Sequence, residues 1–342
     1  MTDAPTPDTS RPAGRALTVL RYLVPILLLG AILWTTDWAR LVECTRAANP
    51  WLLAGAFVLY QLAIFVQGLR WHDLLESDTT RWPFWRIQYV NYISMFFDGF
   101  TPGKLGSDTF RVAAFRSSGR IHYLVISLLA LRLHAMAANI VLAAIVGGIV
   151  LSIKHGWLKV AVPELVAILL LAWLIPKAYQ AIRKGTLHVK YKTTGLKQSI
   201  AVQISRAHDA VKAIYSNPRT LRRSSILVTL YMLIIVSVYY LTGLAFKMTL
   251  PFQNYLAVVP LLILASVIPI SVQGRGLTEI VAIGCWQGLR ASQEQILLTC
   301  LAVFAIMMIQ GLVGGAVWAF SPKTPAPAEA AVPHPPPTPG AP

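Results

Sequence analysis

Six stretches of this sequence stay apolar for about the 20 residues that a helix needs to cross a bilayer: residues 17–36, 51–70, 124–153, 158–176, 226–246 and 296–320. No compact water-soluble domain has a use for so many. In hydrocarbon each backbone N–H and C=O must be satisfied within the segment, so the runs predict membrane-spanning helices. The composition agrees, because only 13% of the 342 residues are charged against about 25% in a typical globular protein. Excess length in 124–153 is absorbed by tilt, with Gly147 and Gly148 allowing a bend.

The charges set a direction. Lys and Arg number 30 against 14 Asp and Glu, a net charge of +16. Much of the surplus falls in residues 177–223, which hold Lys177, Arg183, Lys184, Lys190, Lys192, Lys197, Arg206, Lys212, Arg219, Arg222 and Arg223 against Asp209. Positive loops stay inside, so this loop and both termini are expected on the cytoplasmic side. It contacts anionic lipid or a protein partner; nucleic-acid recognition is not expected, since no aromatic-interleaved module accompanies the charge. Residues 1–16 and the Pro-rich residues 321–342 read as disordered tails.

Two further apolar stretches break where a span should continue. Residues 84–100 meet a polar segment holding Pro102, Gly103, Lys104, Gly106, Ser107 and Asp108, after which a second helix carries Arg111. Residues 258–268 meet Pro269, Ser271, Gly274, Arg275, Gly276, Thr278 and Glu279, followed by 280–289. Pro and Gly of this kind end helices and leave backbone groups to be satisfied by protein, water or a ligand. Each reads as a helical hairpin with a polar tip. The expected fold is thus all-α, a polytopic membrane protein of six full spans plus two re-entrant broken-helix hairpins. Segment order suggests an inverted-topology repeat, 17–153 and 158–320, the second half containing the basic loop. Ten full crossings, or two unrelated kinked helices in an unsymmetrical bundle, fit the same pattern.

Charges at membrane depth mark the candidate site. Ser107 or Asp108 can cap a helix starting near Thr109, leaving N–H groups, Lys104 and Arg111 for an anionic headgroup or for internal pairing. Glu279 and Arg275 hold the matching place in the second segment, Glu279 as a first-turn acid or as the carrier of a coupling proton. Arg132 lies 11 residues past Ile121, near the middle of its span, and needs an anionic partner: Asp98, Asp108 or a phosphate-bearing lipid. His134 reads as a neutral, packed or hydrogen-bonded histidine. Cys44, Cys285 and Cys300 form neither a disulfide framework nor a zinc spacing. No metal or cofactor is expected, and Gly103-Lys104 lacks the hydroxyl residue of a phosphate-binding loop.

The segment from Pro102 to Arg111 resembles the Pro-Gly-x-x-Gly-Gly-Asp-x-x-Arg element of the membrane region of lysylphosphatidylglycerol synthases and of related stand-alone flippase-like proteins, with Ser107 in place of the second glycine. Arg70-Trp71 resembles the Arg-Trp at the end of that family's second span. Its acidic-Arg pair is matched only at Arg132, since Leu131 replaces the acid. Pro269, Ser271, Gly274, Gly276 and Glu279 are similar to its later element, with Thr278 where a basic residue is common. The resemblance, over residues 17–320, implies translocation of a lipid with an anionic or zwitterionic headgroup, or of a polyprenyl-phosphate-linked glycolipid, in a bacterial-type cytoplasmic (inner) membrane. Ser107, Asp108, Arg111, Lys104, Arg132, Ser271, Arg275 and Glu279 are the implied transport residues, and only the Pro-rich tail is expected after the last span. A non-transporting envelope-assembly or regulatory protein, or a membrane glycosyltransferase using Asp98 or Asp108 as base, is the alternative.

Overall fold

The computed structural model describes residues 30, 34–75, 83–99, 105–116, 121–147, 218–267, 274–287 and 289–321. Among them the chain forms nine α-helices: α1 Trp38–Arg46, α2 Pro50–Leu75, α3 Phe84–Asp98, α4 Leu105–Ala114, α5 Ile121–Leu142, α6 Pro218–Ala245, α7 Phe252–Val267, α8 Leu277–Trp286 and α9 Gln293–Phe320. A π-helical turn, Ala143–Gly147, extends α5. Among the described residues four helices are long and apolar enough to cross a membrane, Pro50–Leu75, Tyr123–Ile145, Pro218–Ala245 and Gln293–Phe320.

This corrects the expected six full spans plus two re-entrant hairpins. An apolar run reports hydrophobicity and not helix length. The expected hairpin arms are separate helices of 15, 10, 16 and 10 residues packed into the bundle, too short for the alternative of ten full crossings, each of which needs ~20 residues. The 124–153 run is regular only to Leu142 before its helix loosens. The expected spans at 158–176 and, for the most part, 17–36 lie outside the described residues, and so do both tails and the basic loop as far as residue 217. The inverted repeat depended on that six-span order and is withdrawn with it.

Helices α3, α5 and α6 each run antiparallel to α2. Along α2 and α3, Gln88 donates to the Phe65 carbonyl at 2.8 Å, Asn91 to that of Ile64 at 3.0 Å and Tyr92 to Gln61 at 3.4 Å. Between α2 and α5, Trp71 donates to Ser127 at 3.2 Å and Tyr123 to the Leu74 carbonyl at 3.1 Å. Helix α6 returns beside α2, joined by Arg223 to Asp73 at 3.3 Å at one end and by the Asn49 N–H to the Ala245 carbonyl at 3.0 Å at the other. Glycines let α9 lie close on α3: a Cβ at Gly314 would stand 2.7 Å from the Tyr92 carbonyl oxygen, and one at Gly311 3.3 Å from that of Met95. Small residues permit such backbone approach where no hydrophobic effect drives helices together.

Two apolar clusters fill the interior. One joins α2 and α6 through α9 with residues such as Ile64, Val238, Val258, Trp286 and Val303; the other joins α2 to α5 around Trp71, Leu74, Ile87, Phe115 and Leu124. Large apolar side chains also cover the outside, among them Val58, Leu62, Leu129, Leu133, Leu230, Leu233, Leu312 and Val313. Helices apolar on every side fit a lipid environment. Exposed Trp34, Trp38 and Trp51 mark one end of the bundle, Trp85 and Trp318 the other, as indole rings do at the two headgroup levels.

Candidate functional site

The first polar cluster is built where α4 folds back along α3. Asp98, the last residue of α3, accepts the Ser107 N–H at 3.1 Å and so caps the first turn of α4. The expected cap was Ser107 or Asp108 on a helix starting near Thr109. The helix begins at Leu105 instead, because a carboxylate from the preceding element satisfies its orphan N–H, and Asp108 becomes a first-turn acid with its side chain available.

Asp108 reaches Arg111 one turn on. The Arg111 guanidinium is 3% exposed and donates to three acceptors: Nη1 to Asp108 Oδ1 at 3.3 Å, Nη2 to Asn91 Oδ1 at 2.6 Å and Nε to Ser94 Oγ at 3.0 Å. Each acceptor is itself held. Asn91 gives an N–H to the Ile64 carbonyl, which turns its oxygen toward Arg111; Ser94 gives its proton to the Asn91 carbonyl at 2.6 Å, which leaves its oxygen to accept. The guanidinium stands 5.4 Å over the Trp71 ring, a favourable cation–π placement. Asn91, Ser94 and Trp71 went unpredicted as partners; Arg70-Trp71 was visible as a motif, without its contact.

Arg132 on α5 completes the cluster. Its Nε lies 2.6 Å from Asp108 Oδ2, so one carboxylate bridges two guanidiniums. The expected internal partner is therefore present, and it is Asp108. Arg132 is 32% exposed and Asp108 21%, whereas Arg111 is sealed. The network thus has an inner cation fixed by protein and an outer cation open at its edge. Nearby, Arg70 is 2% exposed and donates to the Leu131 carbonyl at 3.5 Å. His134 sits between Ser224 at 2.9 Å and Ser225 at 3.3 Å, a hydrogen-bonded histidine as expected.

The second cluster opens α8. Gly274 and Gly276 take positive φ, +77° and +85°, where glycine avoids the clash of a Cβ. Gly274 has no room for a side chain either, since a Cβ would stand 2.4 Å from Ser266 Cα. Glu279 is wholly buried and takes three bonds: Arg275 Nη1 at 2.7 Å, the Gly276 N–H at 2.7 Å and the Thr278 hydroxyl at 2.8 Å. It closes the capping box of its own helix. Arg275 also donates to the Cys300 carbonyl at 3.4 Å and lies 4.1 Å over the Phe304 ring. Sequence placed Arg275, Thr278 and Glu279 together; Cys300 and Phe304, from α9, carry no local signal.

The structure brings Ser107, Asp108, Arg111 and Arg132 into one cluster and Arg275 with Glu279 into another on different elements. Gly106 is buried in the first turn of α4. Pro102, Gly103, Lys104, Pro269 and Ser271 lie outside the described residues. Below the end of α3 is a cavity of about 50 Å³, lined by Tyr60, Gln67, Asp98, Tyr231 and Met307 among others. A wider, mainly apolar groove of about 530 Å³ lies where α2 meets α6, lined by Leu69, His72, Asp73, Phe84, Arg223 and Ile226. Among the described residues no group of three or more His, Cys, Asp or Glu could hold a metal ion.

The sequence model of one family, described as the lysylphosphatidylglycerol synthase TM region, matches residues 18–315. No curated protein matches the chain.

Proposed function

Because this chain belongs to the lysylphosphatidylglycerol synthase TM region family, we propose that it moves a lipid with an anionic or zwitterionic headgroup between membrane leaflets. The matched region is the non-catalytic, flippase-like membrane part of those synthases, which supports a transporter and not an enzyme. The carrying observation is Arg132: a guanidinium in the middle of a spanning helix, one-third exposed and 2.6 Å from a carboxylate. Such a charge is costly at depth unless it pairs or acts on a substrate.

A headgroup phosphate competes with Asp108 for the open edge of Arg132, while Arg111 holds Asp108 in place. Arg favours this role because its planar fork matches phosphate oxygens. A phospholipid and a polyprenyl-phosphate-linked glycolipid present the same group. Lys104 and Ser271 are assigned to the path from their motifs alone, and Ser107, Arg275 and Glu279 shape its walls. Arg219, Arg222 and Arg223 open α6 at one end of the bundle, and the positive-inside rule orients that end to the cytoplasm of a bacterial-type inner membrane.

Native mass spectrometry of the protein released from nanodiscs of mixed anionic and zwitterionic lipid tests the recognition step. Wild type should retain a phosphate-bearing lipid, and Arg132→Ala should lower retention at least severalfold. Equal retention by both would remove Arg132 from the role.

A reading without transport, as an envelope-assembly or regulatory protein, draws on the size of the internal cavity. About 50 Å³ takes a few waters and no headgroup. Transport thus requires the helices around it to part, and the non-transporting reading does not.

A further inference from the structure

The groove between α2 and α6 has a chemistry that the arginine network does not use. At about 530 Å³ it falls within the roughly 300–1,000 Å³ of sites that take small molecules. Leu69, Phe84, Ile226 and Leu227 make it mainly apolar, with Asp73 and Arg223 among them. Leu69 lies one turn before Asp73 on α2, and Ile226 and Leu227 one turn after Arg223 on the antiparallel α6. The charged pair therefore sits toward the end of the bundle and the apolar lining toward its middle.

That polarity matches an amphiphile entering from the bilayer. Leu69 continues the exposed stripe of Val58, Leu62 and Phe65 along α2, and Ile226 that of Leu230 and Leu233 along α6, each spaced three or four residues apart. The lining thus joins the lipid-facing surface. At the charged end, exposed Trp85 packs edge-on against Phe84 with ring centres 5.0 Å apart, which sets this mouth at the headgroup level. Arg223 is 69% exposed and gives one N–H to Asp73 at 3.3 Å; among the described residues its other N–H groups donate to nothing. Arg219 and Arg222 stand exposed on the same first turns of α6, which hold no acidic residue.

We propose that this groove holds a phospholipid of net negative headgroup charge, as a resident and not as cargo. An acyl chain covers Leu69, Phe84, Ile226 and Leu227, and the phosphate takes the open N–H groups of Arg223. Three arginines beside one carboxylate favour a net-negative headgroup over a zwitterionic one, whose own cation would face them. The site is separate from the Arg132 cluster. Trp71 and the Leu74 carbonyl bond Ser127 and Tyr123 on the side of α2 that meets α5, whereas Leu69 and Asp73 line the groove. It does not rest on the transport reading, because a resident lipid is measured without movement.

The test is thermal unfolding of the full chain in detergent micelles titrated with dioleoyl-phosphatidylglycerol or dioleoyl-phosphatidylcholine. An Arg132→Ala background keeps the proposed transport contact out of the result. Phosphatidylglycerol should raise the melting temperature saturably, as a ligand of the folded state does, and phosphatidylcholine should need at least fivefold more lipid for the same rise. Arg223→Gln should erase that preference. Asp73→Asn breaks the same ion pair but keeps the guanidinium and should retain the preference, which a purely structural role of the pair would not allow. Ile226→Trp, filling the groove from a position 60% exposed, should abolish the saturable rise while holding the lipid-free melting temperature within a few degrees. If the background misfolds, Arg223→Gln and Ile226→Trp in the otherwise wild-type chain should still raise the half-saturating phosphatidylglycerol at least fivefold. Equal response to the two lipids, or an undiminished rise in Ile226→Trp, would overturn the site and leave the role of Arg132 untouched.

Discussion

Arg111 and Arg132 share Asp108 but differ in what removing them should do. Arg111 is the core of a sealed network, so damage to its acceptors should cost stability. Asn91→Ala removes the 2.6 Å acceptor and the tie to the Ile64 carbonyl, and should destabilise by about 1.5–3 kcal/mol, the range for a bond to a charged group. Denaturant unfolding in mixed micelles reads this directly. Glu279→Gln should cost more, about 3–5 kcal/mol, because it strands the Arg275 guanidinium with no buried counter-charge. A Glu279→Gln variant as stable as wild type would mean that the pair is not the anchor of α8. The charged members of both clusters were legible in the sequence because charge is conspicuous in an apolar run. Their neutral partners were not. Asn91, Ser94 and Trp71 are ordinary residues until α3 and α2 bring them beside α4, and the cap from Asp98 depends on where the chain turns.

Helix type was legible at the scale of elements, and helix extent was not. Apolar runs foretold α2, α5, α6 and α9, and these are the four of the six expected spans that the described residues hold. What fixes an element in place is often a glycine with no periodic signature. Gly314→Leu should drive α9 away from α3, since even its Cβ would meet the Tyr92 backbone oxygen. Its melting temperature should fall by several degrees. Gly284→Ala on α8, with nothing within 4 Å of the new Cβ, is the matched control and should be neutral or slightly stabilising, because alanine favours helix over glycine. Equal effects from both would contradict the close packing of α9 on α3.

Among the described residues the molecule is a multi-pass bundle whose outside is apolar and whose deep charges form clusters at the starts of α4 and α8, the first joined by Arg132 from the middle of α5. That arrangement suits a protein that presents polar chemistry to something within the membrane, and family membership points to lipid. The proposed function requires lipid movement with Arg132 at the contact. Its most direct test is a leaflet-resolved assay in liposomes, in which a quencher added outside reports how fast a fluorescent phosphatidylglycerol crosses the bilayer. Wild type should speed crossing well above protein-free liposomes, and Arg132→Ala should lower the rate at least tenfold while keeping the wild-type melting temperature within a few degrees. Crossing no faster than in protein-free liposomes, or an undiminished rate with Arg132→Ala, would contradict the account.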